Sequence, residues 1–220
     1  DADLEQTANA IIGAAYGSAG ERCMAISAVI AVDAIAEPLK EILIQKIETL
    51  KIGPGKDPNN DMGPLITKEH KQKVMDYIES GESSGAELVI DGREHPITNE
   101  GAGFFLGPTL FDHVTADMSI YLEEIFGPVL VMLRAENLQQ ALDLVNNHRF
   151  GNGVAVFTSS GSIAREFTNK VQIGMVGVNV AIPVPLSFYS FGGWKDSIYG
   201  SSNIYGMDGV RFFTKLKTIT

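Results

Sequence analysis

The chain has 220 residues, 45% hydrophobic and 20% charged, enough apolar material to bury a core without disulfide or metal staples. Its 27 acidic against 17 basic side chains give a formal charge of −10, which excludes a broad nucleic-acid surface but leaves room for small anions held by a few local cations. A single cysteine excludes an intramolecular disulfide framework and fits a reducing compartment, and no apolar run approaches the roughly 18 residues that span a bilayer as a helix.

Asp1-Ala2-Asp3 leads straight into a helical pattern without an initiator methionine, as expected for a piece of a longer chain. Leu4, Ala8, Ile11, Ile12 and Ala15 recur at helical spacing, so a helix over 4–16 is predicted, capped by Asp3. A small-residue loop follows, and then Ile26 to Val32, an apolar run suited to a strand covered on both faces. Asp33 is placed to cap a helix to about Leu50, with a ragged start because Pro38 falls in its early turns. Residues 53–66 are rich in Gly, Pro, Asn and Asp and read as a long loop. Thr67 should cap a helix through Ser80 with Val74 and Ile78 inward, and Glu87 to Ile90 a short strand closed by the Asp91-Gly92 turn.

Residues 93–103 read as polar and exposed, and Phe104 to Phe111 as extended. Strands are then predicted at Val129–Leu133, Gly153–Thr158 and Val176–Val180, alternating with helices from Leu138 and over 161–170. Such alternation means crossover units, hence an α/β fold with a mostly parallel sheet and flanking helices. After Val180 the pattern breaks at Pro183 and Pro185, and Val210 to Thr220 alternates as a lone terminal strand that needs a partner edge, a second subunit being the natural one. The sequence holds no G-x-G-x-x-G after a strand and no P-loop.

Chemistry concentrates first at Tyr16-Gly17-Ser18-Ala19-Gly20-Glu21-Arg22-Cys23-Met24-Ala25. Small residues let the backbone turn tightly and a ligand approach, and Arg22 beside the thiol favours the thiolate, the species that attacks a carbonyl. A lone cysteine is as readily a core residue, and Arg22 as readily one half of a structural ion pair. His70, His95, His113 and His148 are scattered without metal-ligand spacing and read as surface or hydrogen-bonded histidines. Glu123-Glu124-Ile125-Phe126-Gly127-Pro128 enters a buried strand at a sheet edge, where a carboxylate can accept from ribose hydroxyls and a ring can pack on a flat ligand.

Arg22-Cys23-Met24-Ala25, the Glu123 to Pro128 corner, Asn146-Asn147 followed by Phe150-Gly151, and Phe191-Gly192-Gly193-x-Lys195-x-Ser197 together resemble the aldehyde dehydrogenase superfamily in order and spacing. Glu21 to Ala25, the Val178 to Leu186 segment and the Phe213 to Thr220 tail are most similar to its methylmalonate-semialdehyde branch. Ser190 and Ile198 depart from the superfamily's usual Pro before the Phe-Gly-Gly turn and Gly after its Ser, and they fit that specialised branch.

The resemblance implies that Cys23 is the nucleophile and that its backbone N–H helps form the oxyanion hole. It implies that Glu124 binds the nicotinamide ribose of NAD, that Phe126 packs beside the nicotinamide, and that Phe191 lines the substrate mouth. Arg22 then gains a sharper role, since a guanidinium can hold a semialdehyde's carboxylate bidentately. The implied reaction is oxidation of malonate or methylmalonate semialdehyde, with CO₂ release and acyl transfer to coenzyme A. A hydrolytic aldehyde dehydrogenase, or a non-catalytic assembly domain, are the alternatives. The implied layout is a catalytic domain over 1–200 and an oligomerisation strand over 201–220. The NAD-binding domain, general-base glutamate and oxyanion asparagine would lie upstream. The expected location is cytoplasmic, or the mitochondrial matrix in a eukaryote, with no bound metal.

Overall fold

Asp3 accepts a hydrogen bond from the Gln6 N–H at 3.0 Å, which starts α1 (Leu4–Tyr16). Its Ala8, Ile11 and Ala15 face inward as the spacing predicts. This computed structural model describes residues 1–99, the backbone of Glu100, and residues 103–220. After β1 (Ala28–Val32) the chain enters α2 (Ala36–Glu48) through a 3-10 turn at Asp33–Ile35. Asp33 makes no side-chain cap there; it sits at φ 54, in the left-handed region. The ragged start foreseen from Pro38 is present, but its cap is not. Thr67 does cap α3 (Lys68–Ser83), accepting from the His70 N–H at 3.1 Å, and Val74 and Ile78 are fully buried.

Next come β2 (Glu87–Ile90), α4 (Pro96–Glu100), β3 (Thr109–Asp112), α5 (Ser119–Leu122) and β4 (Val129–Ala135). The strand order is β1-β4-β3-β2, with β1 and β3 parallel to β4 and β2 antiparallel to β3. β4 lies in the middle and is almost wholly buried, as its apolar sequence requires. Residues 93–99 are not simply exposed. Thr98 is buried, donating to the Gly92 carbonyl at 2.7 Å and accepting from the Gly107 N–H at 3.1 Å. The remainder of that expectation, at the Glu100 side chain and residues 101 and 102, lies outside the described residues.

The second half comprises α6 (Leu138–Asn147), β5 (Phe150–Gly151), β6 (Gly153–Val156), α7 (Gly161–Lys170), β7 (Met175–Val178), β8 (Trp194–Lys195) and α8 (Gly206–Phe213). β6 pairs parallel with β7, and β5 antiparallel with β8. The parallel character therefore holds, but the expected single sheet is divided into one four-stranded and two two-stranded pieces. Leu142, Phe167, Val171 and Ile173 form a separate small core beneath the β6–β7 pair.

The predicted terminal strand needs correction. Val210, Arg211, Phe212 and Phe213 belong to α8, and residues 214–220 lie in no helix or strand. A helix closes its hydrogen bonds within the segment, whereas a strand needs another edge. The tail is exposed, with Leu216 at 99% and Ile219 at 86% of full accessibility. Among the described residues no helix is long and apolar enough to cross a membrane.

Candidate active site

The Cys23 loop is built from strained backbone. α1 ends at Tyr16, whose buried hydroxyl donates to the Thr109 carbonyl at 3.0 Å and whose pKa burial raises. Ser18, Ala19 and Gly20 then follow in the left-handed region, at φ 52, 54 and 72. For a non-glycine residue this costs about 1–2 kcal/mol, so the surrounding packing must hold it. The chain next turns at Arg22, whose carbonyl accepts from the Ala25 N–H at 3.0 Å. Met24 is buried under this turn, and Cys23, the free thiol, is exposed. Asn152 fixes the turn from across the fold, its Nδ2 donating to the Cys23 carbonyl at 2.7 Å.

Arg22 is also exposed. Its Nε donates to Ser18 Oγ at 3.1 Å, and its guanidinium lies against Gly17, where a Cβ would come within 2.7 Å of Nη2. Among the described residues it makes no ion pair. The guanidinium is thus tied to its own loop and not neutralised by a carboxylate.

The second strained turn is the corner that enters β4. Ile125 is buried, while Glu124 and Phe126 on either side are exposed. Glu123 is spent on Arg149, at 2.8 Å. Phe126 has φ 59, and its carbonyl lies 2.7 Å from His70 Nε2. A carbonyl only accepts, so this nitrogen carries the proton. Gly127 follows, packed so closely that a Cβ on it would sit 2.7 Å from Val74 Cγ2.

The two turns touch. A Cβ on Gly20 would fall 2.2 Å from the Gly127 carbonyl oxygen. Glu21, largely buried, lies with Oε1 3.8 Å from the same His70 Nε2 that holds Phe126. Burial raises the Glu21 pKa, opposed by His70 and by the Ile66 N–H. The Cys23 loop and the Glu124–Phe126 corner are therefore packed against each other, Gly20 on Gly127 and both beside His70.

Phe191 enters less directly. It is partly buried, its ring 5.5 Å from that of Tyr205, and its turn reaches the loop through Gly193, which packs on Asn152. The rest of that motif braces the fold. Lys195 Nζ donates to the carbonyls of Val145, Asn146 and His148 at 3.2, 2.9 and 3.0 Å, closing the C-terminal end of α6. Ser197 Oγ accepts from the Gly151 N–H at 3.0 Å.

Sequence reasoning missed His70 and Asn152. His70 was readable only as a residue in the first turn of a helix, since its partner lies 56 positions away. Asn152, between Gly151 and Gly153, carried a turn signal but no hint of Cys23, 129 positions distant. His148 is structural, accepting from the Phe150 N–H at 3.0 Å and facing the Tyr121 carbonyl at 2.9 Å. Glu37, Asp112 and His113 lie close enough together to suggest a cation, but Asp112 is already paired with Arg134 and Lys40. Two hollows, of about 470 and 190 Å³, are lined by other residues, Glu37 and Arg134 in one and Tyr121 and His148 in the other.

The aldehyde dehydrogenase family model matches residues 1–219. Malonate-semialdehyde dehydrogenase of Pseudomonas aeruginosa is 52% identical over 221 residues, covering 100% of this chain and 44% of the relative. A solved structure described as a methylmalonate-semialdehyde dehydrogenase from Sinorhizobium meliloti 1021, complexed with NAD, superposes at TM-score 0.96 with 52% identity. It matches over 100% of this chain and 45% of its own. That of the methylmalonate-semialdehyde dehydrogenase of Oceanimonas doudoroffii gives TM-score 0.95 and 50% identity, over 98% of this chain and 44% of its own. The chain thus spans less than half the length of these relatives. By sequence and by fold, it belongs to the aldehyde dehydrogenase family.

Proposed function

We propose that the chain carries the nucleophile half of an NAD-dependent, coenzyme-A-acylating semialdehyde dehydrogenase. The observation that carries this is an exposed Cys23 on a strained loop whose Gly20 packs against the Gly127 carbonyl of the Glu124–Phe126 corner. A thiol buried for packing needs neither the strain nor the neighbour.

Cys23 attacks the aldehyde carbon as thiolate, forming a carbon–sulfur bond and an oxyanion. The Cys23 backbone N–H is read as a donor to that oxyanion, a contact worth about 10²–10³ in rate. NAD, when bound, supplies the hydride acceptor for converting the hemithioacetal to a thioester. The corner fits such a cofactor, since Glu124 offers an acceptor for ribose hydroxyls and Phe126, 39% exposed, a ring face for a flat heterocycle. Phe191 is assigned to the substrate mouth.

Arg22 is read as the ligand for the substrate carboxylate, with no ion pair among the described residues to break first. A β-carboxylate on the acyl group leaves as CO₂, and the resulting enolate takes a proton. The thiol of coenzyme A then displaces Cys23, giving acetyl- or propionyl-coenzyme A. The relatives named for malonate or methylmalonate semialdehyde support this substrate class.

The exposed tail, with Phe213, Leu216 and Ile219, is read as a self-association segment of the intact protein. Truncation after Gly209 in the full-length protein should lower its oligomeric state by light scattering. For the reaction, full-length protein should form propionyl-coenzyme A and NADH in equal amounts from methylmalonate semialdehyde. Free propionate formed at the same rate without coenzyme A would instead indicate hydrolysis.

A further inference from the structure

The scattered histidines read as bystanders in the sequence, yet one of them stands between the two strained turns. His70 sits in the first turn of α3, oriented by the Thr67 cap. Its Nε2–H donates to the Phe126 carbonyl at 2.7 Å, while Glu21 Oε1 lies 3.8 Å from the same nitrogen. Glu21 is largely buried and lies two residues before Cys23. Val74, one helical turn beyond His70, fills the space a Gly127 side chain would need. One face of α3 therefore supports both turns, and His70 supplies the polar part of that support.

Phe126 needs such support. A phenylalanine left to itself leaves the left-handed region, carrying its ring and the preceding Glu124 to new positions. Among the described residues, the hydrogen bond given to its carbonyl is the one from His70. We infer that His70 is a positioning residue: it holds the Phe126 turn in its strained form against the Cys23 loop, and so keeps the corner competent for cofactor. This inference rests on the reading of that corner as the NAD site. Without the bond only a fraction of molecules present the turn correctly, and apparent affinity falls by that fraction.

The test compares His70→Ala and His70→Gln with the unaltered full-length protein, using NAD as the titrant in calorimetry alongside steady-state kinetics. The glutamine keeps an N–H donor of similar reach but no imidazole. His70→Ala should weaken NAD binding about five- to tenfold, with kcat changed less than about threefold, and His70→Gln should recover most of the affinity. A structural role alone would reduce the active fraction and leave the dissociation constant of the remainder unchanged. Unchanged NAD affinity in His70→Ala, or equal losses in both variants, would overturn the inference. If the unaltered protein binds NAD but oxidises no semialdehyde, the substrate reading fails while the affinity comparison still decides the role of His70. If it binds no NAD, both readings fall.

Discussion

Gly20 and Gly127, 107 positions apart, meet backbone to backbone, so that a Cβ on Gly20 would reach within 2.2 Å of the Gly127 carbonyl oxygen. Neither side can give way, because the obstacle is main chain and Gly20 is also at φ 72. Gly20→Ala should therefore cost about 2–4 kcal/mol of stability, read as a shifted urea midpoint, and lower NAD-dependent turnover at least tenfold in the refolded remainder. Gly55→Ala is the control, since a Cβ there meets nothing within 4 Å and both readouts should hold.

Arg22→Leu tests the assignment of the guanidinium. Among the described residues its side chain hydrogen-bonds only within its own loop, to Ser18 Oγ, so its removal should leave the fold intact. The ratio of kcat/KM for methylmalonate semialdehyde over propanal should drop by about 10²-fold, as expected for losing a bidentate charge-assisted pair. Equal losses on both aldehydes would assign Arg22 to thiolate activation or to the loop.

Lys195→Met removes three hydrogen bonds from the end of α6. Stability should fall by about 1–3 kcal/mol, seen in thermal denaturation, because three carbonyls lose a partly buried donor. The reactivity of Cys23 toward iodoacetamide should change little below the melting range.

Much of the fold was legible, and the reason is local. α1, α3 and α7 carry capping residues and clean periodicity, and β4 is a run of apolar residues that only a doubly covered strand explains. The terminal segment misled because Val210, Phe212 and Leu216 alternate as a strand would, while nothing in the sequence reveals whether an edge awaits them. Cys23, Arg22, Glu124 and Phe126 stood out as residue types in suggestive company. What the sequence could not give was their juxtaposition. That depends on Gly20 meeting Gly127, His70 meeting Phe126 and Asn152 meeting Cys23, contacts between segments with no shared periodicity. Lys195 and Ser197, which stood out in the sequence only for the resemblance they carry, serve as a brace in the structure.

The acid limb of stability should report Asp112, whose side chain is fully buried. Burial pushes its carboxyl up, but bonds from Arg134, the His113 N–H and Lys40 outweigh it and leave the pKa at about 2. The folded value is below the unfolded one, so the stabilisation is complete above about pH 4 and is lost as pH falls toward 2. With allowance for solvent screening, the loss is on the order of 1–2 kcal/mol. Asp112→Asn should be less stable at neutral pH and should flatten that limb in urea titrations between pH 5 and 2.

The central claim is that the exposed sulfur of Cys23 carries the acyl group between aldehyde and acceptor. Full-length protein given methylmalonate semialdehyde and NAD, with coenzyme A withheld, should accumulate an acyl adduct that peptide mass spectrometry maps to Cys23. The adduct should vanish on adding coenzyme A and never form in Cys23→Ser, whose NAD affinity stays near normal. An adduct on another residue, or continued turnover by Cys23→Ser, would contradict the account.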